Sequence, residues 1–171
     1  MPLNADHIAA QSGAFEPQRQ NNFSIEFYGL DGDDKNIFIL ALKSIDSIPG
    51  HENAPVILKY QNEERRVAGP ATTTGCTIAL HDFVDQETRN AMLRWRRKVY
   101  DPATGAMGLA KDYKKEGAVI LHAPDGSNER VCRLIGSWPD KDPKGALNMN
   151  TTEPVQLDLS ISVDKVQWDL A

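Results

Sequence analysis

The first clear pattern in the chain is at Phe23–Leu30, FSIEFYGL, where Phe23, Ile25 and Phe27 alternate with Ser24, Glu26 and Tyr28. A period of two with one apolar side predicts a strand buried on one face. Turn letters follow at Asp31–Asp34, and the apolar run NIFILALKSI predicts a second strand, so the two read as a hairpin. DSIPGHENAP, Asp46 to Pro55, collects turn formers and predicts a projecting loop ahead of the strand VILKY. ERRVAGP and TTTGCTIALHDF continue the β pattern, the latter setting Cys76, Ile78 and Leu80 against Thr77, Ala79 and His81.

The period then changes. Val84, Thr88, Ala91, Met92, Trp95 and Val99 recur at helical spacing and predict a helix over about 84–100, with Asp85 as N-cap and Pro102 and Gly105 ending it. Leu93 and Tyr100 fall on the other side, among Arg89, Arg94, Arg96, Arg97 and Lys98. AVILHA and ERVCRLIGSW flank PDGSN as a second hairpin, a polar connection follows, and VQLDLSISVDKVQW alternates cleanly to the end as one strand. Roughly seven or eight strands with one helix predict a mainly β fold: an antiparallel sandwich or barrel, flanked by the helix, over residues 23–171, behind an N-terminal arm of residues 1–22.

With 171 residues, 40% of them hydrophobic and 25% charged, the chain suits one domain with one core. Its net charge of −5 lacks the footprint of a dedicated nucleic-acid binder, so the basic helix is a local feature. Cys76 and Cys132 form no CxxC motif, and a reduced, intracellular origin is the expectation. The N-terminal letters show no signal peptide, and no apolar run reaches a membrane-spanning length, so no membrane binding is expected. His7, His51, His81 and His122 show no metal-ligand spacing, DGDDKN lacks the flanks of a calcium loop, and no nucleophile motif occurs. Neither an enzyme nor a cofactor is expected.

Three stretches together resemble the tail tube proteins of contractile phage tails, a family sharing its fold with the inner tubes of related contractile injection machines. SIPGHENAPVILKYQNEERRVAGP is similar to the family's proline-containing loop, strand, turn and Ala-Gly segment through Ser47, Pro49, Tyr60, Asn62, Arg65, Ala68 and Gly69. The central helix followed by DYKKEGAVIL resembles its Tyr-Lys-Lys strand start at Tyr113, Lys114 and Lys115. LIGSWPDK before VQLDLSISVDKV resembles its Gly-x-Trp-Pro strand end at Gly136, Trp138 and Pro139. The chain departs from the family in the DPATGAMGLAKD and PDKDPKGALNMN segments.

The resemblance implies a structural virion protein. Hexameric rings would stack into a tube that conducts DNA or effectors, assembled in the host cytoplasm into a virion tail. Implied partners are other copies, sheath, baseplate and tail terminator proteins, with tape measure protein and DNA passing through the lumen. In that setting Glu26, Asp158 and Asp164 are expected on the channel wall, where carboxylates repel phosphate. Phe15 and Pro17 in the arm, and Pro49, Gly50 and His51 in the loop, are expected to make ring-stacking or neighbour contacts, as is the Pro139–Asn150 connection. Arg94, Arg97 and Lys98, with Leu93 and Tyr100, are expected to meet the sheath. The alternatives are a nucleic-acid-binding β-barrel using the basic helix, and the inner tube of a non-phage contractile injection system.

Overall fold

The computed structural model describes residues 18–85, 87–124 and 129–169. In chain order the elements are β1 (Phe23–Tyr28), α1 (Asp34–Ala41), β2 (Leu42–Ile45), β3 (His51–Tyr60), β4 (Glu63–Thr73), β5 (Cys76–His81), α2 (Glu87–Val99), β6 (Tyr100–Asp101), β7 (Ala106–Met107), α3 (Ala110–Tyr113), β8 (Lys115–His122), β9 (Glu129–Pro139), β10 (Gln156–Ser162) and β11 (Lys165–Trp168). The fold is mainly β and antiparallel. A seven-stranded sheet runs β1-β8-β9-β10-β5-β2, with β11 also paired to β9, while β3–β4 and β6–β7 form separate two-stranded pairs. The ends of the large sheet approach each other: Phe23, Val119 and Leu121 share the walls of a cavity of about 620 Å³ with Ile45 and Ile48.

Alternation in the sequence becomes burial in the structure. Ile25 and Phe27 of β1, Ile78 and Leu80 of β5, and Leu157, Leu159 and Ile161 of β10 enter one core. From α2 the core receives Thr88, Ala91, Met92, Trp95 and Val99, the spacing that predicted the helix. Trp95 meets Phe27 and Phe38 at ring-centroid distances of 4.9 and 5.9 Å. Its indole N–H donates to Tyr113 O at 2.8 Å, so the polar end of the largest core side chain is satisfied.

Four expectations need correction. The run NIFILALKSI is not one strand paired with β1: it is α1 followed by β2, which pairs with β5, whereas β1 pairs with β8. Helical winding sends Asp34, Phe38 and Ala41 inward and leaves Leu40 exposed, so Phe38 can meet Phe27 and Trp95. Asp46–Pro55 is not a free loop: His51 already belongs to β3, and Pro49 is buried. Val84 is fully exposed because it lies in a turn ahead of α2, where Asp85 accepts the Glu87 N–H at 3.3 Å.

The last correction concerns the C-terminal strand, which is two strands on different partners. β9 pairs with β8 and β11 along most of its length, then with β10 at Trp138 and Pro139. Gly136 stands at the change with φ 71°, where a side chain would be strained and would run into the Asp164 carboxylate. Val163 stays buried, and the Asp164 N–H turns to Ile135 O at 3.1 Å, redirecting the chain from β10 into β11.

Candidate assembly surfaces

The β3–β4 pair is an arm outside the core, and every residue of β3 is exposed. Its ten residues span roughly 30 Å at the usual rise of a strand. Register places Val56 opposite Val67, Leu58 opposite Arg65 and Tyr60 opposite Glu63, so alternation gives one face three apolar residues of β3 together with Val67. The other face carries Ile57 opposite Arg66 and Lys59 opposite Glu64. Gln61 turns the tip with φ 50°. An isolated two-stranded ribbon is marginal in water, and this one shows its apolar face to solvent.

At its foot the arm is tied to the body. Gly50 O accepts the Thr74 N–H at 2.9 Å, and the Gly50 N–H donates to Thr74 Oγ1 at 3.1 Å. His51 Nε2 lies 2.9 Å from Val166 O, and Thr73 Oγ1 donates to Asp164 O at 2.9 Å. Pro49, Gly50 and His51 therefore form the foot of the arm, while its exposed apolar face lies further out, at Val56, Leu58, Tyr60 and Val67. Phe15 and Pro17 lie outside the described residues.

On α2 most of the positive charge is engaged within the chain. Arg94 pairs with the buried Asp34, Nε to Oδ2 at 3.1 Å, and this holds its guanidinium more firmly protonated than usual. Lys98 meets Asp31 at 2.5 Å and depresses that carboxyl below the ordinary range. Arg89 binds Asp82 at 2.7 Å, and Arg96 approaches Asp142 at 3.0 Å. The helix fastens three separate segments of the chain to itself, the Asp31–Asp34 turn, the stretch at Asp82 and the connection at Asp142. Among the described residues Arg97 alone of these five cations has no carboxylate partner. Leu93 is half-buried and, with Leu147, Val155 and Leu157, lines a cavity of about 280 Å³. Tyr100 is exposed opposite Met107, itself exposed.

The acidic residues expected on a channel wall occupy three settings. Glu26 is on the outer side of β1, bound to Lys35 at 2.8 Å, which holds its carboxyl below the usual range. Asp158 is exposed on β10 among Gln156, Ser160 and Ser162, and accepts from Gln156 Nε2 at 2.6 Å. Asp164 lies off that row, at the β10–β11 junction, in an ion pair of 2.5 Å with Lys114. Its alternation with Asp158 is only in the sequence, because the chain turns at Val163.

Four of the motif positions, Tyr113, Gly136, Trp138 and Pro139, converge at one corner. Tyr113 packs edge-on against Trp138 at 5.7 Å, Gly136 bends β9 beside Asp164, and Pro139 closes the strand opposite Ile161. Their separation in sequence hides a single structural job, the turn of β9 from one half of the sheet to the other. Sequence reading missed the apolar arm face and the Asp31, Asp34, Asp82 and Asp142 partners of α2; the signal for the former was Val56, Leu58 and Tyr60 alternating within VILKY. Among the described residues no group of three or more His, Cys, Asp or Glu is placed to hold a metal, and no helix is long and apolar enough to cross a membrane. Cys76 and Cys132 are buried free thiols, pushed by burial up to about 12 and about 11.

No family model and no curated protein sequence matches the chain. Solved structures do. A chain of the extended sheath–tube complex of an extracellular contractile injection system, PVC, superposes with TM-score 0.65 at 11% identity, covering 99% of this chain and 100% of that one. A chain of the same system's sheath/tube terminator gives TM-score 0.69 at 12% identity, covering 92% and 99%. The SPP1 tail tube gives TM-score 0.56 at 11% identity, covering 90% and 79%. The chain therefore shares its fold with the tube proteins of contractile injection systems and with a phage tail tube.

Proposed function

We propose that the chain is a structural, non-enzymatic tube subunit that assembles into stacked hexameric rings around a channel, within a phage tail or another contractile injection particle. The observation that carries this reading is the β3–β4 arm: a roughly 30 Å ribbon with an unpartnered apolar face, held at a fixed root, is built to lie on a second copy. Such a head-to-tail contact uses different surfaces on the two copies, and repeated it closes rings or extends stacks. The shared fold supports the reading. Electron microscopy of the purified, concentrated protein tests it: rings or tubes with a central channel are expected, and a persistent monomer would overturn it.

Within this reading the polar face of β10 and β5, with Asp158, Ser160, Ser162 and Thr77, suits a channel wall that lets DNA or protein cargo slide, and Glu26 and Asp164 are candidates for its acidic rim. Sheath, baseplate and terminator proteins are the proposed partners, with tape measure protein and DNA as transient occupants. The proposed sheath surface is now narrower. Arg94 and Lys98 already serve Asp34 and Asp31, so the free charge is Arg97, flanked by Leu93 and the exposed Tyr100. Arg97→Glu is expected to leave tubes intact and to weaken sheath assembly around them, read by co-sedimentation; undiminished sheath binding would remove Arg97 from the interface. The same internal ion pairs count against a nucleic-acid reader, since a helix with four neutralised cations has little charge left for phosphate.

A further inference from the structure

The large sheet ends in two strands that lack a second neighbour. Among the described residues β1 pairs only with β8 and β2 only with β5, so each keeps one row of backbone N–H and C=O groups without a strand partner. Between these edges lies the cavity of about 620 Å³, lined by the apolar Phe23, Ile45, Ile48 and Leu121 and by the charged Lys43 and Asp46. An apolar slot between two open edges is a template for added β-structure.

The β3–β4 arm has the matching deficits. Its strands pair only with each other, so both outer edges are open, and Val56, Leu58, Tyr60 and Val67 make its exposed apolar face. Register puts Glu63 and Arg65 on that same face, opposite Tyr60 and Leu58. Among the described residues neither has an ion-pair partner. The Asp46 carboxylate likewise binds only N–H and O–H donors of Ser47 and Thr77, and the Lys43 ammonium only the Gln156 side chain. The arm face thus offers an acid and a base about 7 Å apart along β4, and the slot a base and an acid about 10 Å apart along the β2 segment, a mismatch that long side chains absorb.

Geometry keeps a chain from filling its own slot. Ile48 leads directly into the tied foot at Pro49–His51, and from there Leu58 and Tyr60 stand roughly 25–30 Å out along the ribbon. A receptor at the root of one arm and a contact face near the tip of another make a contact between different surfaces of two copies.

We propose that the slot between β1 and β2 receives the β3–β4 arm of a second copy: the apolar face of the arm covers Phe23, Ile45 and Ile48, Glu63 meets Lys43, and Arg65 meets Asp46. The proposal rests on the reading of the chain as a self-assembling subunit and names the receptor for its arm. Each copy that gives its arm to one neighbour keeps its slot for the next.

Mixed disulfides test the contact without requiring tubes. One chain carries Val56→Cys, Leu58→Cys or Tyr60→Cys, a second, tagged chain carries Ile48→Cys, and the two are mixed and oxidised, with the native thiols buried. A disulfide between the unlike chains is expected from at least one arm position, read by size after denaturation without reductant. Glu63→Lys is expected to raise the concentration needed for association about tenfold, and Lys43→Glu in the same chain to return it to within about threefold of the parent. Absence of the mixed disulfide at all three positions overturns the slot, and a double variant no better than Glu63→Lys overturns its charge pairing. An Ile48→Cys thiol shielded from a small reagent in dilute monomer would show the slot filled by the chain's own residues, which also overturns the proposal. Mixed disulfides in a protein that forms no tube support the slot and sink the tube reading; tubes without them do the reverse.

Discussion

Replacing Leu58 with Asp and Tyr60 with Ser raises the concentration needed for tube growth by roughly a hundredfold or more, while the isolated subunit unfolds at nearly the same denaturant concentration as its parent. Leu58 is 38% and Tyr60 62% exposed, so neither supports the core of its own chain, and changes at such surface positions usually stay within about 0.5 kcal/mol. In an assembled contact each is worth about 1.5 kcal/mol when buried, and about 3 kcal/mol together is a factor of roughly a hundred in association. Sedimentation across a concentration series, beside urea denaturation of the subunit, separates the two effects. Tubes forming at the parent's concentration would remove the arm from the assembly contact.

Trp95→Ala has the largest expected effect on folding itself. The indole is fully buried, meets Phe38 edge-on and Phe27 at a tilt, and supplies the donor for Tyr113 O. Truncating a buried Trp costs about 3–5 kcal/mol, a large part of the roughly 5–15 kcal/mol that holds a domain folded. For a chain of this size the expected loss of melting temperature is about 10 °C or more. Trp95→Phe keeps aromatic packing and gives up the hydrogen bond, so it should fall between the two. A Trp95→Ala protein within about 1 kcal/mol of its parent by urea denaturation would show that α2 is not the keystone of the core.

Where burial follows the chain's own period, the sequence is legible. Cys76, Ile78 and Leu80, or Leu157, Leu159 and Ile161, alternate because one sheet face is buried, and the α2 stripe from Thr88 to Val99 recurs at helical spacing because it meets the core. Misreadings arise where a distant residue decides. Ile37 and Ile39 favour a strand, yet α1 winds so that Phe38 fills the space between Phe27 and Trp95 and Asp34 meets Arg94, contacts made by residues far along the chain. The arm was obscured for the opposite reason: neither of its faces enters the core, so His51–Pro55 shows turn-forming letters and no sharp alternation. The break at Val163 depends on Gly136 and on the partner exchange of β9. As for the proposed contacts, the cations of α2 were visible as a cluster, but the aspartates that engage them lie in three stretches far apart in the chain, at Asp31 and Asp34, at Asp82 and at Asp142.

The two buried thiols carry a practical consequence. A thiol must ionise and be reached before it reacts, and Cys76 and Cys132, held at about 12 and about 11 inside the core, meet neither condition. The folded chain can therefore move from reducing to oxidising surroundings without acquiring cross-links between copies through these two thiols. It is also ready for site-specific chemistry: one cysteine placed on the arm would be the sole fast-reacting group, and a dye or cross-linker there would follow assembly in real time against a silent background.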